Sequence, residues 1–259
     1  MNASRTRVGG SQPWRAFRAQ TRVELTVASR RGENLLVTIL IPLLLLVFFA
    51  SVPLLPAPPG GGSQIDQLVP GILALAIIST GLVSLGIATA FERSYGVLKR
   101  LGGSPLPRPA LLGAKAAVVL LTEAIQVALI AVTAAVLGWA PTGGIPEALG
   151  SALPWLLLGS VTFCALGLLL AGALRAEAVL ALANGIYLVF LLLGGVIIPL
   201  DHLPAAVADV AALLPPAQLA TLLRGAMEPW SSFDPLPAIG LTTWTVFLVV
   251  GTLATFRTE

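Results

Sequence analysis

Long apolar stretches alternate with short polar ones along the whole of this 259-residue chain. About 20 consecutive apolar residues, wound into a helix, cross the ~30 Å hydrocarbon core of a bilayer. Six stretches have about that length, and prolines, glycines or charged residues separate them. The pattern therefore predicts an all-α membrane protein with six transmembrane helices, at about residues 35–55, 68–90, 110–139, 151–174, 178–198 and 238–256.

The interval between the fifth and sixth stretches, residues 199–236, is too long for a simple turn. Its two apolar segments, residues 203–214 and 219–227, are short and interrupted or bounded by prolines. Apolar segments of about 10–14 residues are typical of re-entrant or interfacial helices. We therefore expect two short re-entrant helices on the outer side of the membrane.

A different periodicity precedes the first stretch, over residues 14–31. Trp14 and Phe17 share an apolar helical stripe, and a basic stripe containing Arg18 and Arg22 runs beside it. Such a helix lies in the membrane interface, with its aromatic rings in the lipid and its arginines at the phosphates. The chain thus divides into a cytoplasmic N-terminus with an amphipathic connecting helix, residues 1–32, and a six-span domain, residues 33–259. This segment alone favours an orientation anchor over a lever that touches a cytoplasmic partner.

Positive charge is sorted between the two sides of the membrane. Fourteen of the fifteen Lys and Arg residues lie in alternate intervals or, for Lys115, just inside the stretch that follows one, and the intervals between them carry acidic residues. Cytoplasmic loops are enriched in Lys and Arg, so both termini are expected in the cytoplasm. The excess of Arg over Lys, with much Ala, Gly and Pro, suggests a GC-rich bacterial genome and hence the inner membrane. Charge sorted in this way favours contact with anionic lipids and not with nucleic acid.

Composition and missing motifs exclude several classes of protein. A mean hydropathy of +0.93 and 10% charged residues are far from a soluble domain, where about 25% are charged. No GxxxxGK[ST] phosphate-binding loop occurs, no aspartate pair lies within a span, and the single histidine, His202, has no second histidine to share a metal. We therefore expect no catalytic residue, no metal site and no enzyme activity of the chain's own.

Glu123 is the one strongly ionisable residue near the middle of a predicted span, and Gln126 shares its helix face. A charged side chain at that depth costs about 2.5–3.5 kcal/mol on insertion scales, so Glu123 is expected to face the bundle interior. Two interpretations stay open. Glu123 is either a functional group, such as a proton carrier, or a hydrogen-bonded carboxyl that holds helices together through Asn184 or Thr162.

Two sequence segments are more specific than the hydropathy pattern. Residues 91–106 read FERSYGVLKRLGGSPL, and residues 194–201 read GGVIIPLD, followed by the pairs Leu203-Pro204, Leu214-Pro215 and Leu223-Arg224. In this order and on the predicted sides, they resemble ABC-2 type transporter permeases, in particular the short permeases of the daunorubicin-resistance type. Val97 and Ser104 stand where Thr is common in that family.

The resemblance implies the permease half of an ATP-binding cassette exporter. Two permease chains, identical or homologous, would form a dimer, and each would rest on a separately encoded ATPase that binds ATP and Mg. This chain itself would bind no cofactor. The coupling contact with the ATPase would be made by the connecting helix and by Glu92, Arg93, Gly96, Leu98, Lys99, Arg100 and Leu101.

The same resemblance carries two further expectations. Glu92 and Arg93 would be exposed to the partner and would contribute only ~0–1 kcal/mol to the chain's own folding. The substrate path would lie at the dimer interface, built mainly from the second and fifth spans. Its apolar walls suit a hydrophobic or amphipathic substrate, such as a drug or a lipid, moved out of the cytoplasm or the inner leaflet.

Two functions from other classes stay open beside the exporter. A secondary carrier that needs no ATP usually has paired, interrupted spans in its two halves, whereas only the second half of this chain has a long outer interval. A membrane assembly or scaffold subunit is the other alternative. The substrate, the choice between identical and different permease partners, and the identity of the ATPase are not determined by the sequence.

Overall fold

The structure is a computed structural model that describes residues 32–52, 63–96, 108–195, 200, 204–227 and 234–255, together with residues 18, 21, 22, 24 and 26. The regular structure in these ranges is helical, and no strand occurs in them. The main helices are α1 Gly32–Ser51, α2 Gln64–Ser94, α3 Arg108–Val136, α4 Ile145–Ala173, α5 Ala176–Leu193, α6 Ala205–Ala212, α7 Pro215–Met227 and α8 Pro235–Thr255.

Five of these helices, α2, α3, α4, α5 and α8, are long and apolar enough to cross a membrane. The pair α6 and α7 bends by 84° between its two halves and would be a sixth only if it were counted as one span. In α1 the apolar part with described side chains, Leu36–Ser51, is shorter than a crossing needs. The all-α, multi-pass membrane architecture is therefore confirmed, with five or six candidate spans.

The interval between α5 and α8 contains two short helices, close to the segments that the sequence indicates. They differ in burial, because most of α6 is exposed whereas α7 packs into the bundle with Leu219, Leu222 and Leu223 in the core. The indole Nε1 of Trp244 in α8 donates a hydrogen bond of 2.9 Å to the Leu213 carbonyl, at the turn between the two helices. Whether the pair re-enters the membrane stays a prediction.

Helix α2 lies at the centre of the bundle. In its most apolar stretch 83% of the residues are buried, against 17–44% in the other four candidate spans. Residues 68–82 are all buried, whereas after Leu82 half-buried residues alternate with buried ones. The expectation that the second span helps to build the dimer interface is therefore wrong for this first half, because its own chain covers every face.

The centre of α2 crosses α4 at backbone contact. Residues Ser79–Leu85 form a π-helical turn within α2. A Cβ added to Gly81 would lie 2.8 Å from the backbone nitrogen of Cys164, and one added to Gly86 would lie 3.0 Å from the Cα of Gly167. Small residues allow helices to approach this closely in lipid, where no hydrophobic effect drives them together. The crossing fixes where the two ends of α2 lie relative to α4.

Candidate functional site

The motif that carries the family resemblance begins in the last turn of α2. Gly96 takes a left-handed backbone conformation, with φ of 69°, and its N–H donates to the carbonyl of Arg93. A glycine in this conformation commonly ends a helix, because it bears no Cβ that would clash. The end of α2 is therefore set by the sequence, and Glu92 and Arg93 belong to its last turn.

The Glu92 side chain points into the protein. Its Oε2 accepts a hydrogen bond of 2.6 Å from the Nζ of Lys115, a residue near the start of α3. The same Nζ lies 3.4 Å from each carboxylate oxygen of Glu24, a helical residue of the N-terminal segment. We call Glu24, Glu92 and Lys115 the Lys115 cluster. It joins three separate parts of the chain around one ammonium group.

The neighbouring Arg93 side chain turns toward α4. Its Nη1 donates to the carbonyl of Gly172, and its Nη2 donates to the carbonyl of Leu174 at 2.7 Å. The last carbonyl groups of a helix lack partners within the helix, and a cation there also interacts favourably with the helix dipole. Arg93 thus connects the end of α2 to the end of α4.

A small-residue contact lies directly beside these charges. Ala90 of α2, Ala171 of α4, and Ala176 and Val179 of α5 form a separate buried cluster. Their short side chains let the three helices approach closely at this end of the bundle. The last two turns of α2 therefore contact α3, α4 and α5 together.

These contacts correct one expectation from the sequence. Glu92 and Arg93 are not exposed ionic groups, because Glu92 is only 8% exposed and Arg93 is engaged by two carbonyls of α4. Both therefore contribute to the chain's own packing. Their role toward a partner stays a prediction, as does that of Gly96.

Other residues assigned from the sequence divide into two groups. Arg18 and Arg22 are exposed helical residues, and the Arg22 carbonyl accepts a 2.8 Å bond from the hydroxyl of Thr26. Their proposed contact with the membrane interface is untested. The residues that lie outside the described ranges are Trp14, Phe17, Leu98, Lys99, Arg100 and Leu101.

Lys115 and Glu24 belong to no motif that the sequence marks as functional. One signal for Lys115 was available, since it falls inside the predicted span 110–139, where a lysine is costly without a partner. Its partner could not be deduced, because Glu92 and Glu24 lie 23 and 91 residues away in the sequence.

A second group of polar side chains lies among α1, α2 and α3. The Oε1 of Gln126, which is 1% exposed, accepts a hydrogen bond of 2.7 Å from the Thr80 hydroxyl in the π-helical turn. Its Nε2 donates to the carbonyl of Thr38 in α1 at 3.0 Å. Gln126 therefore satisfies its polar atoms by linking three helices, as a buried amide should.

Glu123 also faces the interior and is 4% exposed. Ser160 of α4 lies close to its carboxyl group, and among the described residues its Oε1 has no hydrogen-bond partner. The partners suggested from the sequence are wrong: Asn184 is exposed and donates to the Leu180 carbonyl, and Thr162 lies 2.6 Å from the Thr245 hydroxyl. Both roles considered for Glu123 stay predictions.

Comparison with known proteins agrees with the motifs. The family model described as ABC-2 type transporter matches residues 15–227. The Bacillus subtilis (strain 168) protein named "Putative transport permease YvfS" is 23% identical over 217 residues, which cover 82% of this chain and 87% of that protein. The matched residues include the charged end of α2, the two motifs at residues 91–106 and 194–201, and the α6–α7 pair.

Proposed function

The chain belongs to the ABC-2 type transporter family, and we propose that it is the transmembrane permease subunit of an ATP-binding cassette exporter. In this proposal a separate ATPase binds ATP and Mg and supplies the energy. Two permease chains form the path, and the substrate is a hydrophobic or amphipathic molecule such as a drug or a lipid. It leaves the cytoplasm or the inner leaflet of a bacterial inner membrane.

One observation supports the ATPase partnership above the others. The motif of residues 91–106 begins in a helix turn that is held to α3 by the Glu92–Lys115 pair and to α4 by Arg93. A partner that displaced residues 97–107 would therefore pull on α2, α3 and α4 together. An energy-receiving loop needs such a connection, whereas a solvated loop without fixed ends would not transmit a displacement.

The distribution of charge supports the orientation. Arg93, Lys115 and Arg175 lie at one end of the bundle, which we place in the cytoplasm with both termini. We count α1 as the first span, since its 20 residues would rise about 30 Å. The 8-residue α6 and 13-residue α7 are too short to cross singly, so we place them as a re-entrant pair on the outer side.

The exposed faces of the bundle support an apolar substrate path. The side chains of Leu188, Val189 and Leu192 on α5 are 47–64% exposed in the single chain. Because the first half of α2 is enclosed, we assign the path between two chains mainly to α5 and to the half-buried end of α2. A drug-like or lipid-like molecule suits such walls better than a sugar or an ion.

The permease should work only with an ATPase. We expect it to co-purify with a separately encoded cassette ATPase of the same organism, and inverted vesicles holding both should move Hoechst 33342 or an NBD-labelled phospholipid when ATP is added. A partner ATPase whose phosphate-binding lysine is replaced by Ala is the control and should abolish movement. Absence of a complex, or movement at the full rate by the permease alone without ATP, would contradict the proposal.

Substitutions of Glu123 distinguish the proposed exporter from a proton-driven carrier. We expect Glu123→Gln to keep most of the ATP-dependent transport, because the uncharged Gln amide has nearly the shape of the carboxyl group and a cassette exporter needs no proton pathway. Transport should also be independent of an imposed pH gradient. Loss of transport in Glu123→Gln together with recovery in Glu123→Asp would show that ionisation matters and would favour the carrier.

A further inference from the structure

We propose that Lys115 is a positioning residue that holds the N-terminal segment and the last turn of α2 as one unit, through Glu24 and Glu92. The inference rests on the proposed function, because the unit would receive the displacement produced by the ATPase. The Lys115 cluster would hold the N-terminal segment and the last turn of α2 in a fixed relation before a partner binds.

The geometry of the Lys115 cluster supports a joint between separate elements. One ammonium group serves carboxylates from the N-terminal segment and from α2, with side-chain exposures of 9% for Lys115, 14% for Glu24 and 10% for Glu92. Charges that are nearly excluded from water remain ionised at an acceptable cost only when they are paired. The N-terminal segment and α2 are therefore held together at Lys115 by more than a surface contact.

The two halves of the cluster differ in strength. The Nζ–Oε2 distance to Glu92 is 2.6 Å, whereas both oxygens of Glu24 are 3.4 Å away. Charge-assisted hydrogen bonds are strong at about 2.7–2.9 Å and weaker beyond that distance. The adjacent Arg93 fixes the same turn to α4. We assign Glu92 to the permanent half of the joint, and Glu24 to the half that can separate during a transport cycle.

A substitution of Glu24 has different effects for a structural role and for a positioning role. A purely structural Glu24 would lower the stability of the permease and the ATP turnover of the complex together. A positioning Glu24 would leave folding and complex yield unchanged, and would alter only how strongly the permease stimulates its ATPase. Stimulation, the ratio of ATP turnover in the complex to turnover of the ATPase alone, is therefore the informative quantity.

The first test replaces the Glu24 carboxylate in the full permease–ATPase complex, purified in lipid nanodiscs. Glu24→Gln should lower stimulation about fivefold or more, the lower end of typical coupling between sites, with unchanged yield and thermal midpoint. Glu177→Gln, an exposed acid at the same end of the bundle, is the matched control and should have no effect. A decrease in stimulation smaller than about fivefold, below that typical coupling range, would overturn the inference.

The second test inverts every charge in the cluster. Glu24→Lys alone places two ammonium groups together and should reduce stimulation further. The triple variant Glu24→Lys, Lys115→Glu, Glu92→Lys restores opposite charges at all three positions and should recover much of the lost stimulation. A folded triple variant that performs no better than Glu24→Lys would overturn the proposal, and if the triple variant does not fold, the Glu24→Gln result decides.

The two proposals fail in distinguishable ways. If the wild-type permease forms no complex with a cassette ATPase, the proposed function is wrong. If the wild-type complex forms and hydrolyses ATP with stimulation, but the Glu24 variants match it, only the positioning role of the Lys115 cluster is wrong.

Discussion

Replacing Lys115 by Met should destabilise the permease by about 3–5 kcal/mol, the usual cost of removing one partner from a buried ion pair. The reason is that the Glu92 carboxylate, in a residue only 8% exposed, would lose its 2.6 Å bond and remain without a counter-charge. The measurement is the thermal midpoint of the detergent-purified protein, together with the yield of monodisperse protein on size exclusion.

A double variant shows whether the loss comes from the unpaired charge. Lys115→Met combined with Glu92→Leu should recover most of the stability, because a buried pair can often be exchanged for apolar side chains with little cost. Arg175→Met, an exposed cation at the same end of the bundle, should change stability by only ~0–1 kcal/mol. A single Lys115→Met variant as stable as wild type would mean that water already solvates Glu92.

The architecture was predictable from the sequence because apolar length determines it, but the helix starts were not. The hydropathy pattern places the second span at about residue 68, whereas α2 begins at Gln64 because the Asp66 carboxylate accepts bonds of 2.8 Å from both the N–H and the hydroxyl of Ser63. Likewise α4 begins at Ile145 and not near residue 151, since Pro146 suits the first turn of a helix. Capping residues, which are polar or proline, fall outside an apolar pattern.

The charged end of α2 was predictable only in part. The acidic–basic pair Glu92-Arg93 is visible in the sequence, and the resemblance marks it as functional. The inward direction of both side chains depends on where α3 begins and where α4 ends, which no local pattern contains. The π-helical turn Ser79–Leu85 was also not predictable from a local pattern. The contacts that accompany it come from Gln126 in α3 and from the backbone of α4.

Gly81→Leu should prevent α2 and α4 from packing and should have the largest effect of any single substitution in the π-helical turn. A Cβ at residue 81 would lie 2.8 Å from the Cys164 nitrogen and 3.0 Å from the carbonyl carbon of Phe163. These are backbone atoms of a helix, so the clash cannot be relieved by a change of rotamer. Forcing extra atoms into a packed interior costs about 1–3 kcal/mol or more, and here the whole helix must shift.

The expected result of Gly81→Leu is a lower thermal midpoint and a large loss of monodisperse protein, measured in detergent by fluorescence-detected size exclusion. Gly150→Leu is the matched control, because Gly150 lies on α4 itself and has no atom within 4 Å of an added Cβ. A displaced α4 would also move Ser160 away from Glu123, and a displaced π-helical turn would break the Thr80–Gln126 hydrogen bond. Equal stability of the two leucine variants would show that α2 and α4 do not cross at backbone contact, and that the enclosed position of α2 needs another explanation.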